Sequence, residues 1–181
     1  MNPNSDVLKN IKILKANINE VEVLQKIGKQ TFHETFAGGN TVENMSEYLQ
    51  DTFSIEKITN ELNNQHSEFY IAVLEDQTIG YLKVNFQQAQ TELKDANSLE
   101  IERIYVLKEF HGQKVGQLLY QKAIQIAKSN MLKYVWLGVW DQNPRAINFY
   151  KKNGFIELDK HVFKLGNDEQ TDLLMRLEIV G

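Results

Sequence analysis

Hydrophobic residues early in the chain recur at helical spacing. Between positions 17 and 36 they lie three to five residues apart, as they do on one face of an amphipathic helix. They are Ile18, Val21, Leu24, Ile27 and Phe32. The glycine pair at 38–39, followed by Asn40, ends this helix, while Thr41 and Ser54 are capping residues for two more helices at 41–48 and 54–64.

The remaining hydrophobic pattern consists mainly of short runs typical of β-strands, separated by turn residues. The predicted strands are 11–14, 69–74, 78–86, 98–106, 133–141, 155–163 and 173–179. Helical spacing returns at 114–129 and 144–153, and the polar stretch 87–97 is typical of a loop. The order of elements predicts an α+β fold with a mixed central sheet of about seven strands flanked by helices. No repeat or linker divides the chain, so we expect one domain over 1–181.

The composition is that of a globular protein, and it excludes several kinds of functional site. The 181 residues are 42% hydrophobic and 24% charged, which is ordinary for a globular domain. The chain has no cysteine, so disulfides and a cysteine nucleophile are excluded, and its four histidines show no metal-binding spacing. Scattered basic residues and a net charge of −4 argue against nucleic-acid binding. Because neither a signal peptide nor a membrane-spanning segment is apparent, we expect a cytoplasmic protein without a membrane partner.

The first segment with chemical potential lies between the predicted strand 98–106 and the helix at 114–129. Gly112 and Gly116 flank the start of this helix, where no Ser, Thr, Asp or Asn is available as a cap. An anionic ligand could bind the free amides there, and Lys114 would add a positive charge. An uncapped helix after a plain turn is the alternative, since a single glycine pair is a weak signal.

The second segment runs through positions 136–155. Asn143 follows a predicted strand, and Pro144 occupies the favoured first position of the next helix. Tyr150 lies seven residues beyond Asn143, just before Asn153 and Gly154 stop the helix. Taken alone, Tyr150 would more often be a core aromatic residue with a satisfied hydroxyl group than a catalyst.

Together the two segments resemble the Gcn5-related N-acetyltransferase (GNAT) superfamily. The first family pattern is Arg/Gln-x-x-Gly-x-Gly/Ala, and here His111-Gly112-Gln113-Lys114-Val115-Gly116 keeps the last glycine but has His at the first and Lys at the fourth place. The second segment matches through Asn143, Ala146, Phe149, Tyr150 and Gly154-Phe155. The order of elements is also similar over nearly the whole chain.

Several further stretches are similar to the bacterial PaiA-type spermidine/spermine acetyltransferases within this superfamily. They are residues 31–36, 43–45, 98–106, 136–140 and 168–173. The resemblance implies transfer of an acetyl group from acetyl-CoA to a primary amine, with a polyamine as the substrate, by direct attack without a covalent enzyme intermediate.

The resemblance also implies roles for individual residues. Backbone groups of Ile104, Tyr105 and Val106 would bind the pantetheine arm, and Tyr150 would protonate the departing thiolate. The remaining cofactor-binding positions are Gly112, Gln113, Lys114, Val115, Gly116 and Gln117 around the pyrophosphate, with Asn143 and Ala146 on the other side.

The amine must lose a proton. With a pKa of about 10.4, only about one part in a thousand is neutral near pH 7.4, a deficit of about 4 kcal/mol. We expect Glu102 to accept this proton, directly or through water, because it falls where polyamine acetyltransferases of the superfamily carry a strand glutamate. Strand alternation predicts that Glu102 shares a face with Glu100 and Ile104. Alternatively, Glu100 and Glu102 are simply solvent-facing charges.

Other residues could contact the substrate. Glu100 could pair with a second cation of a polyamine, Glu34 could line the substrate cleft, and Trp140 could wall a cation site. The simpler interpretation is that Glu34 lies on a solvated helix face and that Trp140 belongs to the core. A protein N-terminus, a lysine or another small amine remains an alternative substrate, and a catalytically silent sensor of acyl-CoA is an alternative class. Whether the chain forms a homodimer stays open.

Overall fold

The computed structural model describes residues 10–39, 41–165 and 168–179. The helices α1 to α5 are Val21–Phe36, Val42–Thr52, Ile55–Asn63, Val115–Ser129 and Pro144–Lys152. The strands β1 to β7 are Lys12–Lys15, Ser67–Leu74, Gln77–Phe86, Ser98–Val106, Tyr134–Trp140, Ile156–Leu165 and Asp168–Glu178. The ragged start predicted for 1–10 lies outside the described residues except for its last residue, and so does the stop residue Asn40.

All seven strands form one mixed sheet in the order β1-β2-β3-β4-β5-β7-β6. Only β4 and β5 run parallel, and every other neighbouring pair is antiparallel. The predicted α+β class with a seven-stranded mixed sheet is therefore confirmed.

Local capping chemistry starts the predicted helices where the sequence places it. The Thr41 hydroxyl accepts a hydrogen bond from the Asn44 amide at 3.2 Å, and the Ser54 hydroxyl accepts one from the Lys57 amide at 3.2 Å. Helix α2 nevertheless continues to Thr52, four residues beyond its predicted end.

The prediction was least accurate at the last two strands. β6 extends to Leu165, and β7 begins at Asp168 rather than at position 173. Polar residues at 168–172 hide the strand in the sequence. This polar part of β7 pairs with β6, and from Asp172 onwards β7 pairs with β5 as well, so backbone pairing stabilises a strand that side-chain character does not favour.

Each face of the sheet carries its own hydrophobic core. On one face α4 and α5 pack over a cluster that includes Leu82, Leu119 and Tyr150. On the other face α1, α2 and α3 pack over a second cluster that includes Leu24, Phe32 and Tyr81. Residues from the two clusters can approach each other only where the sheet itself opens.

Candidate active site

The sheet opens between its two parallel strands. β4 and β5 pair at only three positions, Ser98 with Tyr134, Leu99 with Val135 and Glu100 with Trp136. β4 then continues to Val106 and β5 to Trp140 without pairing to each other. The divergence leaves a gap bordered by strand edges whose backbone groups need partners.

The backbone of β4 faces this gap at alternate residues. The Leu107 amide donates to the Ile79 carbonyl of β3 at 2.9 Å. Because peptide groups alternate in direction along a strand, those of Ile104 and Val106 turn towards the gap, while that of Tyr105 turns towards β3. The Val106 carbonyl is already bonded to the His111 ring at 2.8 Å. The expected backbone contacts to pantetheine are therefore supported at Ile104 and at the Val106 amide, but not at Tyr105.

Helix α4 begins beside the mouth of the gap without a side-chain cap. Lys114 stands at its N-cap in the left-handed conformation, with φ of 61°. The first helical bond runs from the Leu118 amide to the Lys114 carbonyl, so the amides of Val115, Gly116 and Gln117 have no helical acceptor. Their partial positive charge makes this helix start suited to an anion.

The glycines of this loop leave room for such an anion. A Cβ added at Gly112 would meet no atom within 4 Å, and one at Gly116 would meet only Val106 Cγ2, at 4.0 Å. Protein packing therefore does not explain the absence of a side chain at Gly116. Gly112 has φ of 80°, which glycine adopts without strain.

Two further side chains meet at the loop. The Nε2 of His111 bonds the Val106 carbonyl, and its Nδ1 contacts the guanidinium of Arg145. Burial lowers the pKa of His111, and the charges of Arg145 and Lys108 lower it further. A neutral ring that donates through Nε2 and accepts through Nδ1 fits these contacts. Arg145 was not predicted from the sequence, since it is a single cation in the first turn of α5.

Two residues before Arg145, Asn143 caps α5. Its Oδ1 accepts a hydrogen bond from the Ala146 amide at 3.1 Å, which confirms the predicted cap and leaves the Asn143 Nδ2 as a donor. The Gln117 side chain is paired with Asn153 at 2.9 Å. Gln117 can therefore contribute its main-chain amide to an anion, and the Gln113 side chain likewise bonds the Glu109 carbonyl at 3.1 Å.

Tyr150 lies in the aromatic core under α5. Its ring centroid is 5.3 Å from that of Phe149 and 5.5 Å from that of Phe155, and the residue is only 6% exposed. Burial raises the pKa of Tyr150 above its usual value, so the phenol is protonated at neutral pH. Phe110, in the turn after β4, packs against this core and against the core on the other face, so the two cores approach each other beside the end of β4.

Glu102 lies at a β-bulge. Lys83 pairs with Arg103 and Val84 pairs with Ile101, so Glu102 has no partner on β3. The bulge turns Glu102 and Arg103 to the same side of the sheet. Ile104 packs instead against the core under α4 and α5, so the prediction that Glu102 shares its face was wrong. Strand alternation could not anticipate the extra residue.

The Glu102 carboxylate is part of a buried charge network. It contacts Lys83 Nζ at 2.6 Å, Arg103 Nη2 at 3.0 Å and Asn85 Nδ2 at 2.6 Å. Glu61 of α3 completes the network, with Lys83 at 2.9 Å and Arg103 at 2.9 and 3.1 Å. Despite burial, Arg103 and Lys83 lower the pKa of Glu102 to about 2. A carboxylate held by two cations is a poor proton acceptor, so the geometry does not favour Glu102 as a direct base.

Glu100 and Glu34 are also engaged within the protein. Glu100 is 3% exposed, and its carboxylate binds the amide and hydroxyl of Thr91 and the Asn85 side chain. Glu34 accepts hydrogen bonds from the Lys108 amide at 2.8 Å and from Gln30 at 3.0 Å. Glu100 is thus neither solvent-facing nor open to an amine. We assign neither glutamate to the amine site, since their oxygens already fix two loops.

Trp140 lies at the end of β5, partly exposed, with its ring centroid 5.3 Å from that of Phe36. Gly138 is exposed although it lies within the sheet. Next to it, on β7, is Asp172, whose Oδ2 would be 3.3 Å from a Cβ at Gly138. The sequence did not single out Asp172 or Gly138 by themselves, although both fall within stretches that resemble the PaiA type.

A metal-binding cluster and a membrane-spanning helix are both absent from the part of the chain that the structure describes. Within residues 10–39, 41–165 and 168–179, no three His, Asp or Glu side chains converge so as to hold a metal ion. No helix in those ranges is long and apolar enough to cross a membrane.

A mixed sheet that opens between two parallel strands, with an uncapped glycine-rich helix start at the opening, defines the N-acyltransferase class of fold. The chain belongs to the acetyltransferase (GNAT) family, whose model matches residues 32–155. This membership makes the protein an N-acetyltransferase.

Individual relatives agree with this placement. An uncharacterized N-acetyltransferase of Lactobacillus delbrueckii subsp. lactis is 35% identical over 170 residues, covering 94% of this chain and 98% of the relative. A spermidine N(1)-acetyltransferase of Thermoplasma acidophilum is 28% identical over 149 residues, covering 80% and 88%. The crystal structure of the PaiA N-acetyltransferase of Thermoplasma acidophilum in complex with coenzyme A superposes with a TM-score of 0.77 at 27% identity, covering 93% of this chain and 98% of that one.

Proposed function

We propose that the protein transfers the acetyl group of acetyl-CoA to a primary amine, and that this amine is a polyamine such as spermidine. The observation that carries the proposal is the uncapped start of α4, which presents unbonded amides at the gap between β4 and β5. The relative named a spermidine N(1)-acetyltransferase supports the polyamine. The proposal places this reaction in the cytoplasm.

The residues present fit coenzyme A. The amides of Val115, Gly116 and Gln117 would hold its pyrophosphate, since they lack helical acceptors and the space at Gly116 is open. Lys114 and Arg145 would add positive charge on either side of the phosphates. The pantetheine arm would add hydrogen bonds to Ile104 and Val106, and Asn143 and Ala146 would border the other side of the gap.

Tyr150 is suited to act as the acid. In the transfer, the amine nitrogen forms a bond to the acetyl carbon and the carbon–sulfur bond breaks. The sulfur leaves as a thiolate, and the Tyr150 hydroxyl donates a proton to it. The hydroxyl holds this proton at neutral pH, since its pKa lies above the usual tyrosine value of about 10. The amine releases its own proton to solvent or to a nearby acceptor.

Glu102 has a different role in this proposal. Its paired carboxylate fixes the β4 bulge against Lys83 and Arg103, and so sets the course of the strand that borders the gap. Proton transfer through a water molecule that also contacts Glu102 remains compatible with this arrangement, whereas direct transfer is disfavoured by the pKa of about 2.

Mass spectrometry of reaction products tests the proposal. The protein is incubated with acetyl-CoA and, separately, with spermidine, a lysine-containing peptide whose N-terminus is blocked, and a peptide with a free N-terminus. We expect mono-acetylated spermidine as the main product. If only a peptide is acetylated, the substrate is a protein amine rather than a polyamine. If none of the three amines is acetylated, the result favours a sensor of acyl-CoA.

A further inference from the structure

An open pit lies on the face of the sheet that carries the second core, over the strand β5. Its floor is Gly138, which is exposed between two buried strand neighbours, Leu137 and Val139. Trp140 borders the pit on the side of α1, while Trp136 on the other side is 1% exposed and bonded to Gln90 through its indole N–H at 2.6 Å. The missing side chain at Gly138 thus leaves a space on the sheet beside a partly exposed aromatic ring.

Asp172 borders the same space. It pairs with Trp140 of β5 on one side and with His161 of β6 on the other, so all three side chains lie on one face of the sheet. The Asp172 Oδ2 points at the space over Gly138. Its Oδ1 is buried without a hydrogen-bond partner, which is costly for a carboxylate.

The charges around Asp172 do not neutralise it. Among the lysine and arginine side chains that the structure describes, none lies at salt-bridge distance from Asp172. Burial is the main cause that raises the pKa of Asp172. The charge of His161 lowers it, whereas those of Glu92, from the loop before β4, and Asp141, after β5, raise it. Glu92 itself lies 3.6 Å from His161. The surroundings therefore hold more negative than positive charge.

The pit lies beside the gap between β4 and β5. The last pair of these two strands is Glu100 with Trp136, so Gly138 and Trp140 belong to the part of β5 that borders the gap. Asp172 pairs with Trp140 and therefore lies one strand away from that border.

We propose that Asp172, with Gly138 and Trp140, binds the ammonium end of an aliphatic amine substrate. This inference rests on the proposed function. The carboxylate pairs with the cation, the absent Gly138 side chain admits it, and the Trp140 ring contacts the adjoining methylene groups. Asp141 and Glu92 add attraction for a second positive charge.

Direct binding tests this site without turnover. Calorimetry measures spermidine binding to the full-length protein saturated with unacetylated coenzyme A. We expect Asp172→Asn to raise the Kd at least tenfold and Gly138→Ala to raise it as well, because the new methyl group would crowd Oδ2. Glu157→Gln, which removes the same charge from an exposed position of β6, is the matched control and should bind as the unaltered protein does.

The pH dependence provides a second readout. Burial raises the pKa of Asp172 to about 6, so the carboxylate loses its charge as pH falls through that value, while spermidine stays cationic. Spermidine affinity should therefore fall below about pH 6 in the unaltered protein and in His161→Gln, but stay flat in Asp172→Asn.

Unchanged spermidine affinity in Asp172→Asn, with coenzyme A still raising its Tm, would overturn the inference. If Asp172→Asn folds poorly, Gly138→Ala still tests the inference, because this variant leaves the Asp172 carboxylate in place. Unchanged spermidine affinity in Gly138→Ala would also count against binding in the pit. Acetylated spermidine formed at an unchanged rate by Asp172→Asn would leave the proposed function standing and remove only this site.

Discussion

At the residue scale, Tyr150 shows what a sequence motif can predict and what only the structure adds. Position and residue type follow from the segment Asn143 to Phe155, but the sequence leaves a core role open. The structure places Tyr150 in an aromatic cluster and raises its pKa by burial. Both a core role and an acid role are compatible with that position, so kinetics must separate them.

Tyr150→Phe keeps the ring and loses only the proton donor. We expect kcat to fall by about 10²-fold, with little change in the KM for acetyl-CoA. Tyr120→Phe is the matched control. Tyr120 is another buried tyrosine of this cluster, with its ring 6.0 Å from Phe149, and its hydroxyl lies 3.5 Å from the Asn153 carbonyl. A normal kcat in Tyr150→Phe would assign Tyr150 to the core alone.

The glutamates of β4 mark where prediction from residues fails. Charge on a strand suggests solvent or substrate, yet Glu100 and Glu102 are bound by Thr91, Asn85, Lys83 and Arg103. Lys83 and Asn85 come from the neighbouring strand and Thr91 from the preceding loop, while the bulge turns Arg103 to the side of Glu102. Long-range ion pairs and bulges leave no periodic trace, so neither could be predicted.

At the element scale, the position of α4 was predictable, because its hydrophobic spacing gives the helix. The anion site, inferred from the missing cap and two nearby glycines, stays a prediction. The structure adds what the spacing lacks, the left-handed Lys114 and the contact between His111 and Arg145. The first is a backbone conformation that lysine seldom adopts, and the second joins two distant segments.

Replacing Gly116 tests the helix start as an element. Acetyl-CoA at about 100 times its Kd should stabilise the protein by about 2.7 kcal/mol, a rise in Tm of about 5–10 °C. Gly116→Leu should abolish this rise, because the side chain would fill the open space over the helix start. Gly38→Leu is the control, since a Cβ there also meets nothing within 4 Å but lies outside the loop. The full rise in a folded Gly116→Leu protein would place the pyrophosphate elsewhere.

The hairpin of β6 and β7, by contrast, was poorly predicted from the sequence. Its polar residues conceal the start of β7, although the same stretch delivers Asp172 to the sheet face beside Gly138. Side chains that serve a site weaken the strand pattern that would reveal them. The least accurate part of the prediction therefore coincides with the part that builds the proposed amine site.

At the scale of the whole molecule, the fold class was predictable because it depends on the order of elements. Seven strands and the main helices each have a local signal, and short connections restrict how they can be arranged. The gap between β4 and β5 is different. It arises from the twist and divergence of two strands that share only three pairs, which no single segment encodes.

The central claim is that the protein acetylates polyamines. A comparison of amine substrates that differ in charge tests this claim most directly. Steady-state kcat/KM is measured for spermidine and for n-butylamine, at low ionic strength and at about 0.5 M salt. We expect spermidine to be favoured by about tenfold or more at low salt, since about 1.4 kcal/mol of extra attraction suffices. The preference should shrink at high salt, where charges are screened within a few ångströms. Equal values for both amines, insensitive to salt, would contradict the claim.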